Sequence, residues 1–337
     1  MKPIKTALLA YGLSGKIFHA PFLATNEGFE LYAVLERKSK KAKLDYAEIK
    51  SYTSLEELLA DDLIELVVVN TPNNTHFELA KAVLLAKKHV LLEKPATTTP
   101  EEFKELLVLA NSVYKKVFVY QNRRWSSDFC STKEVINSGK LGDIVEAHLR
   151  FDRFRPTIGL KAFKEKELPG SGILYDLGAH LIDQAISIFG KPKKHYIQKG
   201  MYRNGTLVDD YAFVHLLFEN QVNAFITVSF HVLDIQPGIV IHGTKGSFIK
   251  EFCDEQENQL MMGISPLVEI FGFEKDNKVG KLTFVNDKNE IVTEFIPSKK
   301  GNFNGLFEEV FNCIRNQKEF SVKDDEIIWQ LKLLSNE

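Results

Sequence analysis

Cysteine is scarce in this chain of 337 residues: Cys130, Cys253 and Cys313 are far apart and form no Cys-x-x-Cys pair. An odd count so spaced excludes a disulfide framework and a cysteine zinc site, and fits a reducing compartment. A charge surplus is also lacking, with 43 Lys and Arg against 45 Asp and Glu for a formal net charge of −2. That argues against nucleic acid or an acidic membrane as an obligatory partner. No apolar run approaches the length needed to span a bilayer. The stretch Thr6–Ala10 is short and runs straight into a Gly/Ser turn with no cleavage signal, so the expected location is cytoplasmic. Internal repeats and low-complexity tracts are missing. What is present, 44% apolar and 26% charged residues, is the make-up of an ordinary globular protein long enough for two domains.

Strand and helix signals alternate over the first 120 residues. Apolar runs at Ile4–Ala10, Glu30–Glu36, Ile49–Tyr52, Glu65–Asn70, His89–Leu92 and Lys116–Tyr120 read as strands. Between them lie helix signals: a capping box at Thr53-Ser54-Leu55-Glu56, an amphipathic stretch over Asn74–Lys87, and Thr99-Pro100-Glu101-Glu102. This alternation predicts a doubly wound parallel sheet with right-handed crossovers, an α/β domain over residues 1–122. Pro21 predicts a kinked or split first helix. From residue 123 to 337 the pattern changes. A helix near Ser127–Ser138 precedes closely spaced strand signals broken only by a helix at Gly172–Phe189. Connections as short as Glu219–Gln221 and Thr244–Gly246 favour antiparallel hairpins, and Lys281–Phe295 reads as another. The second domain is therefore expected to be α+β, with closing helices near Phe303–Gln317 and Glu326–Leu334.

The first strand leads into Gly12-Leu13-Ser14-Gly15, where glycines let a pyrophosphate approach backbone N–H groups at a helix start. The full fingerprint would have glycine at position 10, and this chain has Ala10. Glu36 ends the second strand, where an acid accepts from ribose hydroxyls and repels a 2′-phosphate, which favours NAD. Arg37-Lys38-Ser39-Lys40-Lys41 beside it could attract that phosphate, so NADP stays open; most of these lysines fit a solvated helix start, and Arg37 suits adenine stacking. Thr71-Pro72-Asn73 through His76 follows the fourth strand, both as a helix cap and as a wall of the expected crevice.

Two further motifs carry chemistry. Glu93-Lys94-Pro95 places a carboxylate and an ammonium where a strand leaves the sheet. Asp176, His180 and Asp183 follow at i, i+4 and i+7 on one helical face. A histidine takes a hydroxyl proton near neutral pH, and a neighbouring ammonium stabilises the developing alkoxide. Blander readings stand beside these. Lys94 alone could be a surface lysine, His180 a core histidine, and Asp183 a structural acceptor. Arg123, Arg124 and Trp125 suit either interdomain packing or substrate contact, and Arg155 could add specificity. No metal is expected, because Lys94 would compete with one for the Asp/His/Asp face.

The order of these motifs, with Tyr120–Trp125, Gly139–Gly142 and His242–Ser247, resembles the glucose–fructose oxidoreductase / inositol dehydrogenase / MocA family over essentially the whole length. Gly12 through Phe22 is similar to the branch that contains scyllo-inositol dehydrogenases, while Asp176 leans toward the general dehydrogenase arrangement. The resemblance implies an N-terminal Rossmann domain, a C-terminal α+β domain with a large, mostly antiparallel sheet, and hydride transfer between a nicotinamide and a sugar, inositol or related polyol. It implies that Lys94 contacts the reacting oxygen, His180 takes the proton, and Asp176 holds substrate and tunes His180. Substrate contacts are expected from Arg124, Trp125, Arg155, Asp176 and His180. The cofactor contacts are expected from Gly12, Leu13, Ser14, Gly15, Glu36, Arg37, Thr71, Pro72, Asn73, His76, Glu93, Lys94 and Asn122. A homodimer or homotetramer through the C-terminal sheet follows from the same likeness. Two other readings remain open: a reductase of this fold acting on a non-sugar such as a bile pigment, and a non-catalytic NAD(P)-binding regulator.

Overall fold

A computed structural model describes residues 1–38, 40–158, 165–275 and 278–335. It divides into two compact units. The first comprises Met1–Asn122, Gln256–Phe271 and Phe303–Lys323; the second comprises Arg123–Glu255, Gly272–Asn302 and Asp324–Glu337.

The first unit is built on six parallel strands: β1 (Ile4–Leu8), β2 (Phe29–Leu35), β3 (Lys50–Tyr52), β4 (Leu66–Val69), β5 (His89–Leu92) and β6 (Val117–Val119), in the order β3-β2-β1-β4-β5-β6. Order reverses between β1 and β4, which opens a crevice at the carboxyl ends of these two strands. β4 is buried throughout, as a strand covered on both faces by helices must be. Its helices begin where hydrogen bonds at their ends can be satisfied. Thr99 accepts from the Glu102 N–H while Glu102 reaches back, completing the expected capping box of Pro100–Ser112. At the third strand the cap is Ser54, which accepts from Glu57, one residue later than the box expected at Thr53. Both sequences satisfy the Ser/Thr-x-x-Glu pattern, and the end of β3 at Tyr52 leaves Ser54 as the residue with extended backbone.

Helix Asn304–Arg315 completes this unit from far along the chain. Phe307 stacks on Phe22 at 5.6 Å and meets Phe29 at 6.0 Å and Tyr120 at 5.7 Å, while Asn26 Nδ2 donates to Asn304 at 2.8 Å. The first helix is split, as Pro21 suggested: a π-helical turn over Ser14–His19 passes into an α-helix over Ala20–Thr25, with Pro21 within its first turn.

The second unit holds eight strands: β7 (Ile144–Asp152), β8 (Pro192–Gly200), β9 (Tyr211–Phe218), β10 (Asn223–Ser229), β11 (Ile239–Gly243), β12 (Gly246–Lys250), β13 (Gly280–Val285) and β14 (Ile291–Ile296). Their order is β14-β13-β12-β11-β7-β10-β9-β8, all antiparallel except the parallel pair β7–β10. That pair is possible because helix Ala179–Phe189 lies in the long connection between them. Ala212, Val214, Leu216 and Phe218 are buried along β9, in strict alternation with half-buried neighbours. They share one apolar core with Leu181, Ile182, Ala185 and Ile186 of that helix, and with Leu333 and Leu334 of Asp324–Ser335. One face of the sheet is thus covered by helices. Among the described residues, no helix is long and apolar enough to cross a membrane.

Candidate active site

The glycine turn is held by a residue that the sequence did not single out. Asn70, at the end of β4, accepts from the Ala10 N–H at 3.0 Å and donates to the Ala10 carbonyl at 2.8 Å. A primary amide satisfies both backbone groups of one residue, so the two strand ends at the switch point are tied together. Gly15 is required by this packing, since a Cβ there would lie 2.2 Å from the Ala10 oxygen and 2.8 Å from Asn70 Nδ2. Gly12 differs: a Cβ there would meet nothing within 4 Å. The following helical turn has no side-chain cap at Leu13. Open space at Gly12 and uncapped N–H groups beyond it fit a pyrophosphate, which is the test a dinucleotide must pass here.

Glu93 and Lys94 leave β5 beside this turn, and the Lys94–Pro95 peptide is cis. The Glu93 carboxylate accepts from Ser14 Oγ of the glycine turn, lies 2.8 Å from His19 Nε2, and accepts the Lys94 N–H at 3.3 Å. Burial pushes its pKa up, but the bonds and charge of His19, the Ser14 bond and the Lys94 charge outweigh this and hold it at about 2. Glu93 is therefore a carboxylate with three donors from its own unit. His76 is likewise turned inward. It is fully buried, with Nδ1 2.9 Å from the Pro95 carbonyl and Nε2 2.9 Å from the Thr71 carbonyl. Burial drives its pKa down while the two carbonyls oppose this, and the ring spans the 71–76 turn and Pro95. Thr71 and Thr75 share a hydroxyl bond of 2.7 Å, and Pro72 is exposed where Asn73 opens a 3₁₀ turn. Asn122, at the end of this unit's first segment, is buried.

At the adenosine end, Glu36 accepts from Lys41 N at 2.8 Å and from Ala42 N at 3.2 Å. A carboxylate is thereby fixed past the end of β2 at the start of helix Ala42–Asp45, with Arg37 exposed next to it. Tyr11 donates to Asp45 at 2.8 Å and Lys16 pairs with it at 2.7 Å, tying this short helix to the glycine turn.

In the second unit, Asp176 lies in a π-helical turn, Leu174–Gly178, and His180 in the first α-helical turn that follows. Asp209 starts this element, accepting the Ile173 N–H on its carbonyl and the Leu174 N–H on its side chain, both at 2.9 Å. Gly172 precedes it with φ of +95°, and a Cβ there would fall 2.1 Å from Asp209 Oδ1. Asp176 is half-buried and His180 is 9% exposed. Asp183 faces inward. Arg124 donates to it twice, from Nε at 2.8 Å and Nη2 at 2.7 Å, and donates to Glu326 at 2.7 Å. Arg124 and Asp183 are buried. Arg124, expected on the substrate, thus sits in an ion triad with Asp183 and Glu326. The Trp125 carbonyl accepts Asn302 N at 2.9 Å, and the Arg155 guanidinium lies 5.5 Å from the Phe230 ring centre while its residue stays exposed. Among the described residues no three His, Cys, Asp or Glu side chains are grouped to hold a metal ion.

Residues 4–121 match the family described as oxidoreductase family, NAD-binding Rossmann fold, and residues 129–249 match the GFO/IDH/MocA C-terminal domain. An uncharacterized oxidoreductase of Schizosaccharomyces pombe is 39% identical over 99% of this chain and 96% of its own. A scyllo-inositol 2-dehydrogenase (NADP(+)) of Bacillus subtilis is 34% identical over 98% of this chain and 92% of its own. The crystal structure of an oxidoreductase from Bacillus cereus superimposes with a TM-score of 0.90 at 34% identity, covering 99% of this chain and 95% of that one.

Proposed function

Because the chain belongs to the Gfo/Idh/MocA oxidoreductase family, we propose that it moves a hydride between NAD(P) and a carbon bearing a hydroxyl of a sugar, inositol or related polyol. The observation that carries this reading is the tie between the glycine turn and Glu93-Lys94-Pro95 through Ser14 and Glu93, which brings an ammonium-bearing turn to the dinucleotide cradle. The Bacillus subtilis relative, named for inositol oxidation, supports the substrate class.

Residues Gly12 to Gly15 would hold the pyrophosphate, Thr71 to Asn73 and Lys94 would flank the nicotinamide, and Glu36 with Arg37 would meet the adenosine ribose. The bound nicotinamide supplies the hydride acceptor or donor. The remaining work falls to side chains of this chain. His180 takes the hydroxyl proton onto its imidazole, the side-chain type suited to general-base work. The family likeness assigns Lys94 to stabilising the negative charge that develops on the reacting oxygen. Asp176 binds a neighbouring hydroxyl and favours the protonated imidazole. In the reverse direction His180 returns the proton to a carbonyl. NAD is the proposed cofactor, because a 2′-phosphate at the end of β2 would meet the fixed Glu36 charge; NADP, named for the Bacillus subtilis relative, is the competing outcome. We also propose a cytoplasmic homo-oligomer formed through the open face of the eight-stranded sheet.

The test is a thermal-shift titration of the purified protein with NAD and NADP, followed by a panel of inositols, aldoses and keto-sugars. A bound ligand raises the melting temperature in proportion to RT ln(1 + [L]/Kd). Binding of a dinucleotide with no turnover on any polyol or keto-sugar would reject the reading in favour of a cofactor sensor.

A further inference from the structure

His19 is fully buried between the Tyr120 ring, 4.4 Å away, and the Phe307 ring, 6.2 Å away. Packing alone does not call for a histidine there. Phenylalanine or leucine would fill the space, and the imidazole leaves Nδ1 buried with no hydrogen-bond partner among the described residues. Its other nitrogen has a definite task. Nε2 lies 2.8 Å from Glu93 Oε1, an oxygen that also accepts from Ser14 Oγ, while Oε2 accepts the Lys94 N–H at 3.3 Å. An ionised carboxylate only accepts, so Nε2 carries the hydrogen.

We propose that His19 is a positioning residue for Lys94: its Nε2–H fixes the Glu93 carboxylate, which in turn holds the Lys94 backbone and the Ser14 end of the glycine turn as one piece. The inference rests on reading Lys94 as the group that contacts the reacting oxygen. It makes ionised Glu93 the keystone, because a protonated carboxyl gives up acceptor sites to its own hydrogen. In the intact protein the Glu93 pKa is held at about 2, the bond to His19 being the largest effect that offsets burial. The other titratable groups around it bond elsewhere: His76 lies against the Thr71 and Pro95 carbonyls, and the Tyr120 hydroxyl donates to the Phe18 carbonyl at 2.8 Å. Lys94 adds a favourable positive charge. Without His19 the buried carboxylate loses its main counterweight, so its pKa rises.

The experiment uses the full-length protein and two substitutions, His19→Leu and His19→Gln. Each is checked for folding by thermal melting, then assayed for kcat and for affinity toward the reduced dinucleotide that the wild type binds, from pH 5.5 to 9. His19→Leu is expected to lower kcat about 10- to 100-fold, the loss of one positioned bond to a charged group. Its dinucleotide affinity should fall on the acid side, where the wild type stays flat. Gln can donate an amide N–H to the same oxygen, so His19→Gln should regain most of kcat and the flat profile. A His19→Leu protein with wild-type profile and kcat within about twofold overturns the inference, as does a His19→Gln no better than His19→Leu. Should His19→Leu fail to fold, Ser14→Ala removes another donor from the same oxygen and is expected to show the same acid-side loss; a loss equal at all pH values overturns the proposal. A wild type that binds neither dinucleotide overturns the inference together with the function it rests on, whereas a failure confined to the variants' pH profiles leaves that function standing.

Discussion

Replacing Arg124 with methionine separates a structural arginine from a substrate-binding one. Methionine keeps most of the stem volume and removes the guanidinium, so packing loss is small. Asp183 then loses two charge-assisted bonds, at 2.8 and 2.7 Å, and is left with Glu326 as a like-charged neighbour. Its side chain is 2% exposed, so water cannot replace those bonds. Two such bonds at about 1.5–3 kcal/mol each agree with the roughly 3–5 kcal/mol found when one partner of a buried pair is removed. Both tryptophans of the chain, Trp125 and Trp329, lie in the second unit. Their fluorescence therefore follows its unfolding in urea, and the midpoint should drop by about 1 to 2 M. Burial already pushes the Asp183 carboxyl up, and the Arg124 charge opposes that. Without Arg124 the native state holds a proton that the unfolded chain releases near pH 4, so stability falls as pH rises above that point. The deficit should be larger at pH 8 than at pH 5. Adding Asp183→Leu to Arg124→Met should recover more than half of the loss. An Arg124→Met protein with an unchanged midpoint but abolished turnover would refute the structural assignment and return Arg124 to the substrate.

Other consequences can be measured alongside. Lys94→Ala and His180→Ala should each lower kcat by at least about 100-fold while changing dinucleotide affinity less than about fivefold; equal losses in both would show the roles to be misassigned. Gly15→Ala should lower the melting temperature, because its Cβ collides with the Ala10 carbonyl, whereas Gly12→Ala, with nothing within 4 Å, should melt like wild type and lose dinucleotide affinity. A Gly12→Ala protein with intact affinity would remove the pyrophosphate from that turn. Burial, with the Asp254 and Glu274 charges, raises the Asp128 pKa to about 7. Its folded value thus exceeds its unfolded one, so its contribution to stability falls as pH rises above about 4. Asp128→Asn should flatten this slope in denaturant titrations; an unaltered slope would assign it to other groups.

Where the sequence was legible, one local rule determined the outcome. Alternating apolar runs gave six parallel strands, since a buried strand needs only apolar residues and a crossover of sufficient length. Thr99–Glu102 formed its box because capping is settled within four residues. The box at Thr53 shifted to Ser54 because two overlapping patterns compete and the end of β3 decides between them. The parallel β7–β10 pair could not be read from hairpin spacing, which reports neighbours in sequence only. Asn70 carried a faint signal, a polar residue closing an apolar strand; His19 carried less, being one polar residue on an apolar helix.

The motifs that mark the family, the glycine turn, the Glu-Lys-Pro end of β5 and the Asp176/His180 helix, were determined by sequence alone, because each is a short run whose chemistry lies in its own residue types. Tertiary structure decided which charged groups are available for chemistry. Arg124 and Asp183 neutralise each other across 59 residues, Glu93 is taken up by Ser14 and His19 from 79 and 74 residues away, and His76 turns toward Pro95. A side chain's role depends on who satisfies its hydrogen bonds once water is excluded, and those partners are fixed only when distant segments meet.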